Sequence, residues 1–91
     1  MTSTPNMLMP LTMLPPGQVG RIVQIHAGQR LKQRLMGMGL APGNTVRVLR
    51  DNGGPLLLAV GESRIALGRG MAHKILVQAV SDPIPRGEFV S

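Results

Sequence analysis

The chain offers few groups able to do chemistry. Its acids are Asp51, Glu62, Asp82 and Glu88, its imidazoles are His26 and His73, and it has no cysteine. General acid–base catalysis needs two titratable groups held within hydrogen-bond reach of one substrate. Asp51 and Glu62 fall in or beside expected turns and the other two acids lie near the C-terminal end, so no pair is spaced for that work. No serine or threonine is accompanied by a histidine and an acid in a recognised triad. Gly68-Arg69-Gly70 lacks the lysine and hydroxyl, at the right spacing, that a phosphate-cradling loop requires. The expectation is that this is not an enzyme.

Metal chemistry is equally thin. A structural zinc site wants four ligands, commonly paired in sequence, whereas His26 and His73 stand far apart. They could meet across the fold with Asp51 or Glu62, or bridge two copies of the chain; the alternative is two surface histidines. The seven methionines offer thioethers, which suit Cu(I). Thioethers also make adaptable packing. Met38 reads as packing, and the others read as contact surface. No cofactor is expected to be required, with weak binding of Fe2+ or Zn2+ at His26 and His73 as the metal expectation.

The charge is more informative. Ten Lys and Arg against four acids give a net +6, a balance that favours an acidic partner, nucleic acid or an anionic membrane surface. The same charge would also serve simply to keep the domain solvated. Phe89 is the sole aromatic residue. Proline-rich peptides are gripped by rings, and single-stranded nucleic acid is held by stacking on them. Neither mode is available, so no specific nucleic-acid binding is expected. Arg30, Lys32, Arg34, Arg47 and Arg50 are dense in one helix and the strand after it.

These side chains must be positioned by a single small domain, the most that 91 residues allow. The longest apolar run is Leu56 to Val60, far short of the ~20 residues a membrane span needs, so no membrane insertion is expected. Pro5, Pro10, Pro15 and Pro16 interrupt the apolar stretches near the start, and no secretion signal is read there. Residues 1–10 read as a flexible arm, 11–80 as the ordered domain and 81–91 as a flexible tail. The first strand is placed at Val19–Ile25, with broken alternation that a bulge near Gly20 would explain. Leu31, Leu35 and Met38, at i, i+4 and i+7, predict a helix over 29–38. Gly39 supplies its left-handed stop and Leu40 folds back on Leu35, as in a Schellman motif; Pro42 prevents continuation. Strands follow at 45–50, 56–60 and 64–67, with Gly61-Glu62 as a two-residue hairpin turn. A helical turn at 68–72 and a last strand at 74–79 complete the domain. Five short strands and one helix indicate a mainly β chain closed into a small barrel.

Three stretches resemble the FeoA family. Leu11-Thr12-Met13-Leu14-Pro15-Pro16-Gly17 with Gly20-Arg21-Ile22-Val23-Gln24-Ile25 is similar to its opening turn and strand. Leu31-Lys32-Gln33-Arg34-Leu35-Met36-Gly37-Met38-Gly39-Leu40-Ala41-Pro42-Gly43 resembles its most distinctive motif, a basic helix ending in Met-Gly-Leu and then Pro-Gly. Pro55 to Leu67 and Ala72 to Val77 resemble its closing hairpin and last strand. The likeness implies an SH3-like barrel with one short helix inserted after the first strand. It further implies a part in ferrous iron uptake beside FeoB, a permease with a cytoplasmic GTP-binding domain, as a regulator or assembly factor rather than an iron carrier. Gly68-Arg69-Gly70-Met71 departs from the family pattern, which has an acid before the alanine, so that acid's contact is not carried over.

The resulting expectation is a cytoplasmic, non-catalytic accessory protein, monomer or weak homodimer, recruited to the inner membrane through its partner. The residues assigned to the partner surface are Leu11, Leu14, Arg30, Arg34, Met36, Met38 and Leu40, an apolar helix end beside basic charge. The rival readings are a ferrous- or zinc-binding sensor or buffer and a basic RNA-associated barrel.

Overall fold

Alternation of buried and exposed positions sets the strands. Leu56 and Leu58 are buried while Leu57 and Ala59 are less so, and Val46 and Val48 are buried while Thr45 and Arg47 are exposed. The computed structural model describes residues 7–80. In chain order these form β1 (Leu8–Pro10), a 3₁₀ turn (Leu11–Met13), β2 (Val19–Ile25), α1 (Gln29–Gly37), β3 (Thr45–Asp51), β4 (Leu56–Val60), β5 (Ser63–Leu67), α2 (Arg69–Ala72) and β6 (Ile75–Val80). All neighbouring strands are antiparallel, in the order β1-β6-β2-β3-β4-β5.

The chain is mainly β with one helix of any length, but the sheet is not a closed barrel. Its outer strands, β1 and β5, make no ladder with each other. The physical reason is that a short helical element comes directly after each of them. β1 runs straight into the 3₁₀ turn and β5 into α2, and these two short elements pack on each other. Side-chain packing closes the gap that hydrogen bonds leave open. β1 also corrects the expected arm, since Leu8, Met9 and Pro10 pair with Gln78, Val77 and Leu76. The helix therefore comes after the second strand rather than the first. The rest of the expected arm and the expected tail lie outside the described residues.

Two bulges bend the sheet. One falls between Ile22 and Gln24 of β2, leaving Val23 and Gln24 both exposed; the other falls between Val48 and Arg50 of β3. The irregularity expected at Gly20 is thus displaced to Val23. Gly20 instead allows a close approach: a Cβ there would stand 2.9 Å from Leu14 Cδ2 and 3.1 Å from Val77 Cβ. The β4–β5 turn is Gly61-Glu62 as expected, between the paired Val60 and Ser63, with Gly61 at φ +60°.

α1 ends as its sequence predicts. The Leu40 N–H donates to the Leu35 carbonyl at 2.9 Å and the Gly39 N–H to that of Met36 at 3.0 Å, which are the two bonds of a Schellman stop. Gly39 holds φ +91°, and a Cβ there would lie 2.9 Å from Val60 Cγ1. Gly39→Ala therefore meets both left-handed strain, about 1–2 kcal/mol, and a crowded neighbour. Gly37 sits inside the same helix with open space around it, and Gly37→Ala is expected to stabilise by about 0.4–1 kcal/mol. Urea denaturation of the two variants checks this: a stable Gly39→Ala protein would show that the stop does not hold the helix.

Candidate functional site

Successive residues of an α-helix turn by about 100° around its axis, and this sorts the side chains of α1. Leu35 points into the core and is fully buried. Leu31 packs against the core's edge. Arg30, Arg34 and Met38 lie on one flank, while Lys32 and Met36 lie on the other. The structure therefore divides the expected partner surface. Met36 is 46% exposed but is separated from Met38 by the body of the helix. Leu11, Leu14 and Leu40 leave that surface altogether, being 0%, 1% and 0% exposed. Leu11 and Leu14 are drawn into the core by non-local packing and Leu40 by the local helix stop. Leu11 opens the 3₁₀ turn, Leu14 covers Gly20, and Leu40 is the fold-back of the helix stop.

What remains on the first flank borders a groove of 190 Å³. Leu31, Arg34, Leu35 and Met38 form one wall and Ala66, Leu67, Gly68 and Met71 the other. A second, larger depression of 510 Å³ runs from Gly39 past Thr45 to Ser63, and Met38 borders both. Met38 thus forms a ridge between two hollows, with Arg34 at the rim. Met71 belongs to the site although nothing in its sequence context marks it. β5, which supplies the far wall, pairs only with β4 and is an edge strand.

Met71 is positioned by an ion pair. α2 is four residues long, too short to be stable alone. Arg69 at its start donates from Nη1 to Asp51 Oδ1 at 2.9 Å, from Nη2 to Asp51 Oδ2 at 3.0 Å and from Nη1 to the Gly54 carbonyl at 2.8 Å. Asp51 Oδ1 also accepts the Gly53 N–H at 3.0 Å. The segment that departs from the expected pattern thus makes a planar, two-pronged contact that lysine could not reproduce. Among the described residues it is the one salt bridge. The Arg69 guanidinium and the Gly53 N–H hold the Asp51 carboxyl below its ordinary value, and Asp51 in turn raises Arg69.

The histidines come to one corner. The backbone N–H of His26 donates to the backbone carbonyl of Lys74 at 2.8 Å, and His73, the residue before Lys74, is the C-cap of α2. Both are exposed. Among the described residues no group of three or more His, Cys, Asp or Glu side chains is placed to hold a metal, so within them His26 and His73 lack the further ligands that a tight site needs. Among the same residues no helix is long and apolar enough to cross a membrane.

The sequence pattern of the FeoA domain matches residues 9–79. The chain belongs to the FeoA family. A FeoA relative from Methanocaldococcus jannaschii, provisionally named Fe(2+) transport protein A, is 38% identical over 69 residues, covering 76% of this chain and 84% of its own. A crystal structure of an iron uptake regulatory protein, FeoA, superposes with a TM-score of 0.77 at 39% identity, covering 81% of this chain and all of the other. The zinc-complexed FeoA of Stenotrophomonas maltophilia superposes with a TM-score of 0.68 at 30% identity, covering 77% and 89% of the two chains. That protein is described as a prokaryotic SH3 domain protein and a candidate activating factor for ferrous iron transport. The SH3-like class and the place in ferrous iron transport thus come to this chain through its FeoA family.

The Asp51–Arg69 pair has a pH signature. Folding lowers the Asp51 pKa below its ordinary 3.8. The ionised pair therefore adds stability above that value, and the contribution is lost as pH falls through the lower, folded-state value. Asp51→Asn should lower the melting temperature at neutral pH and flatten its fall below the ordinary carboxylate value. A variant with the wild-type acid profile would remove Asp51 as the cause.

Proposed function

We infer that this chain is a cytoplasmic, non-catalytic accessory protein of ferrous iron uptake. It docks through the α1–α2 groove onto the cytoplasmic GTP-binding domain of a FeoB-like permease and so assembles or activates it. The observation that carries the reading is the groove itself, an apolar channel with an exposed methionine ridge and an arginine rim on a chain of this family. Binding energy at protein interfaces concentrates in a few apolar anchors set in pockets. Methionine side chains adapt their shape to an incoming partner. A cationic rim chiefly speeds encounter with an acidic partner and fixes orientation. The complementary feature is an apolar side chain flanked by carboxylates on the partner. Ferrous iron is the permease's cargo in this scheme, and no step passes through a metal held by this chain.

Met38→Asp should weaken binding to the permease's cytoplasmic domain by at least about tenfold, equivalent to ~1.4 kcal/mol. Arg34→Glu should chiefly slow association and reduce its salt dependence. Met36→Asp, on the other flank of α1, should bind as the wild type does. Calorimetry or surface plasmon resonance with the isolated domain reads all three. Undiminished affinity for a folded Met38→Asp protein would reject the groove as the docking surface.

A further inference from the structure

The face of the sheet turned away from α1 carries a second feature. Strand register aligns Val80, Val19, Arg47, Ala59 and Arg64 in one unbroken row across β6, β2, β3, β4 and β5. With strands ~4.8 Å apart the row is about 19 Å long. Arg21, opposite Thr45, stands diagonally from Arg47, a separation of ~7–8 Å between backbones. Arg21, Arg47, Val19, Ala59 and Val80 line a groove of 440 Å³. Its floor is apolar and its walls are arginine, and no carboxylate is among its lining residues. Of the two acids among the described residues, Asp51 is taken by Arg69, and Glu62 lies in the β4–β5 turn. Arg47 donates one Nη1 bond, at 2.8 Å, to the Gly17 carbonyl, which fixes its position and leaves the other prong of its guanidinium open.

We propose that this groove is a second docking surface, for an extended acidic segment of a partner protein that carries a carboxylate at every second residue. The spacing favours that occupant. Alternate side chains of an extended segment repeat at ~6.6–7 Å, close to the diagonal between Arg21 and Arg47, so two carboxylates on one face of the segment can meet both arginines. Planar guanidinium groups match carboxylates two-pronged, and the carboxylates of such a segment all project from the one face turned toward the arginines. A single-stranded nucleic acid would find phosphate contacts but no ring to stack on, since the sole aromatic residue of the chain, Phe89, is not among those lining the groove. A bilayer surface is flat and would bridge a concave groove without filling it. The site is distinct from the α1–α2 groove, because the two share no lining residue.

The test is fluorescence anisotropy of a labelled six-residue peptide of alternating glutamate and valine, at low and at physiological salt, with the full chain. Arg21→Gln/Arg64→Gln spares the Arg47–Gly17 bond and should weaken binding by about tenfold or more. Arg30→Gln/Arg34→Gln removes the same charge from α1 and should change it by less than about twofold. Equal losses from both pairs would reduce the effect to net charge and overturn the proposal. So would the absence of saturable binding. Tighter binding of a six-nucleotide RNA or of phosphatidylglycerol vesicles at the same salt would assign the face to those ligands instead. No permease enters this assay, and Met38→Asp does not touch this face, so either reading can fail while the other stands.

Discussion

An open sheet leaves one face of its core uncovered, and the burial of Leu35 is what covers it. α1 has a single fully buried side chain, so its attachment depends on that residue and on the stop that brings Leu40 back beside it. Burying a leucine contributes about 1.5–3 kcal/mol, and nine helical residues carry little stability of their own in water. The helix is therefore held by two leucines and by a glycine in the left-handed region that lets the chain reverse between them. The remaining surface of α1 is released for other use. Every feature of the candidate site on α1, from the Met38 ridge to the Arg34 rim, is oriented by the burial of Leu35 and Leu40, with Leu31 packed at the core's edge.

The opposite wall is secured by different physics. α2 contributes only Ala72 to the fully buried core and could not hold itself in place by burial. The Asp51–Arg69 contact ties it to the turn between β3 and β4, with two parallel bonds and a third to the Gly54 carbonyl. The groove thus stands between a wall fixed by apolar burial and a wall fixed by charge. Solvent-exposed ion pairs usually contribute little to stability. This one matters for geometry, because it decides where Met71 stands relative to Met38.

How much of the fold and the site is legible in the sequence depends on the range of the interaction. The helix stop is readable because Leu35, Gly39 and Leu40 are near neighbours in the chain, and the Gly61-Glu62 turn is readable for the same reason. β1 is not: Leu8-Met9-Pro10 is too short for alternation to show, and its partner lies almost seventy residues away. Leu11 and Leu14 look like surface in the sequence because a Pro-rich turn comes after them, yet their burial comes from β6 and the close approach at Gly20. Met36 and Met38 are near neighbours in sequence and read as one surface, but helical geometry sends them to opposite flanks. The arginine row is set by pairing between strands and the salt bridge by the approach of α2 to the end of β3, neither of which composition can reveal. The FeoA resemblance supplies the fold class and the place in iron transport, but not the open edge.

The charge distribution ties these points together. Residues 7–80 carry nine Lys and Arg against two acids, and among them Arg69 alone has a carboxylate partner. A domain this small gains little from its core, and a net charge so far from zero opposes compactness. Charge placed for stability would be paired, as Arg69 is. Arg34 rims one groove and Arg21 and Arg47 wall another, with no lining residue in common, where partners of complementary charge can reach them. The open sheet makes this arrangement available. The short helical element that follows β5 and leaves it an edge strand also supplies Met71 to the far wall of the first groove.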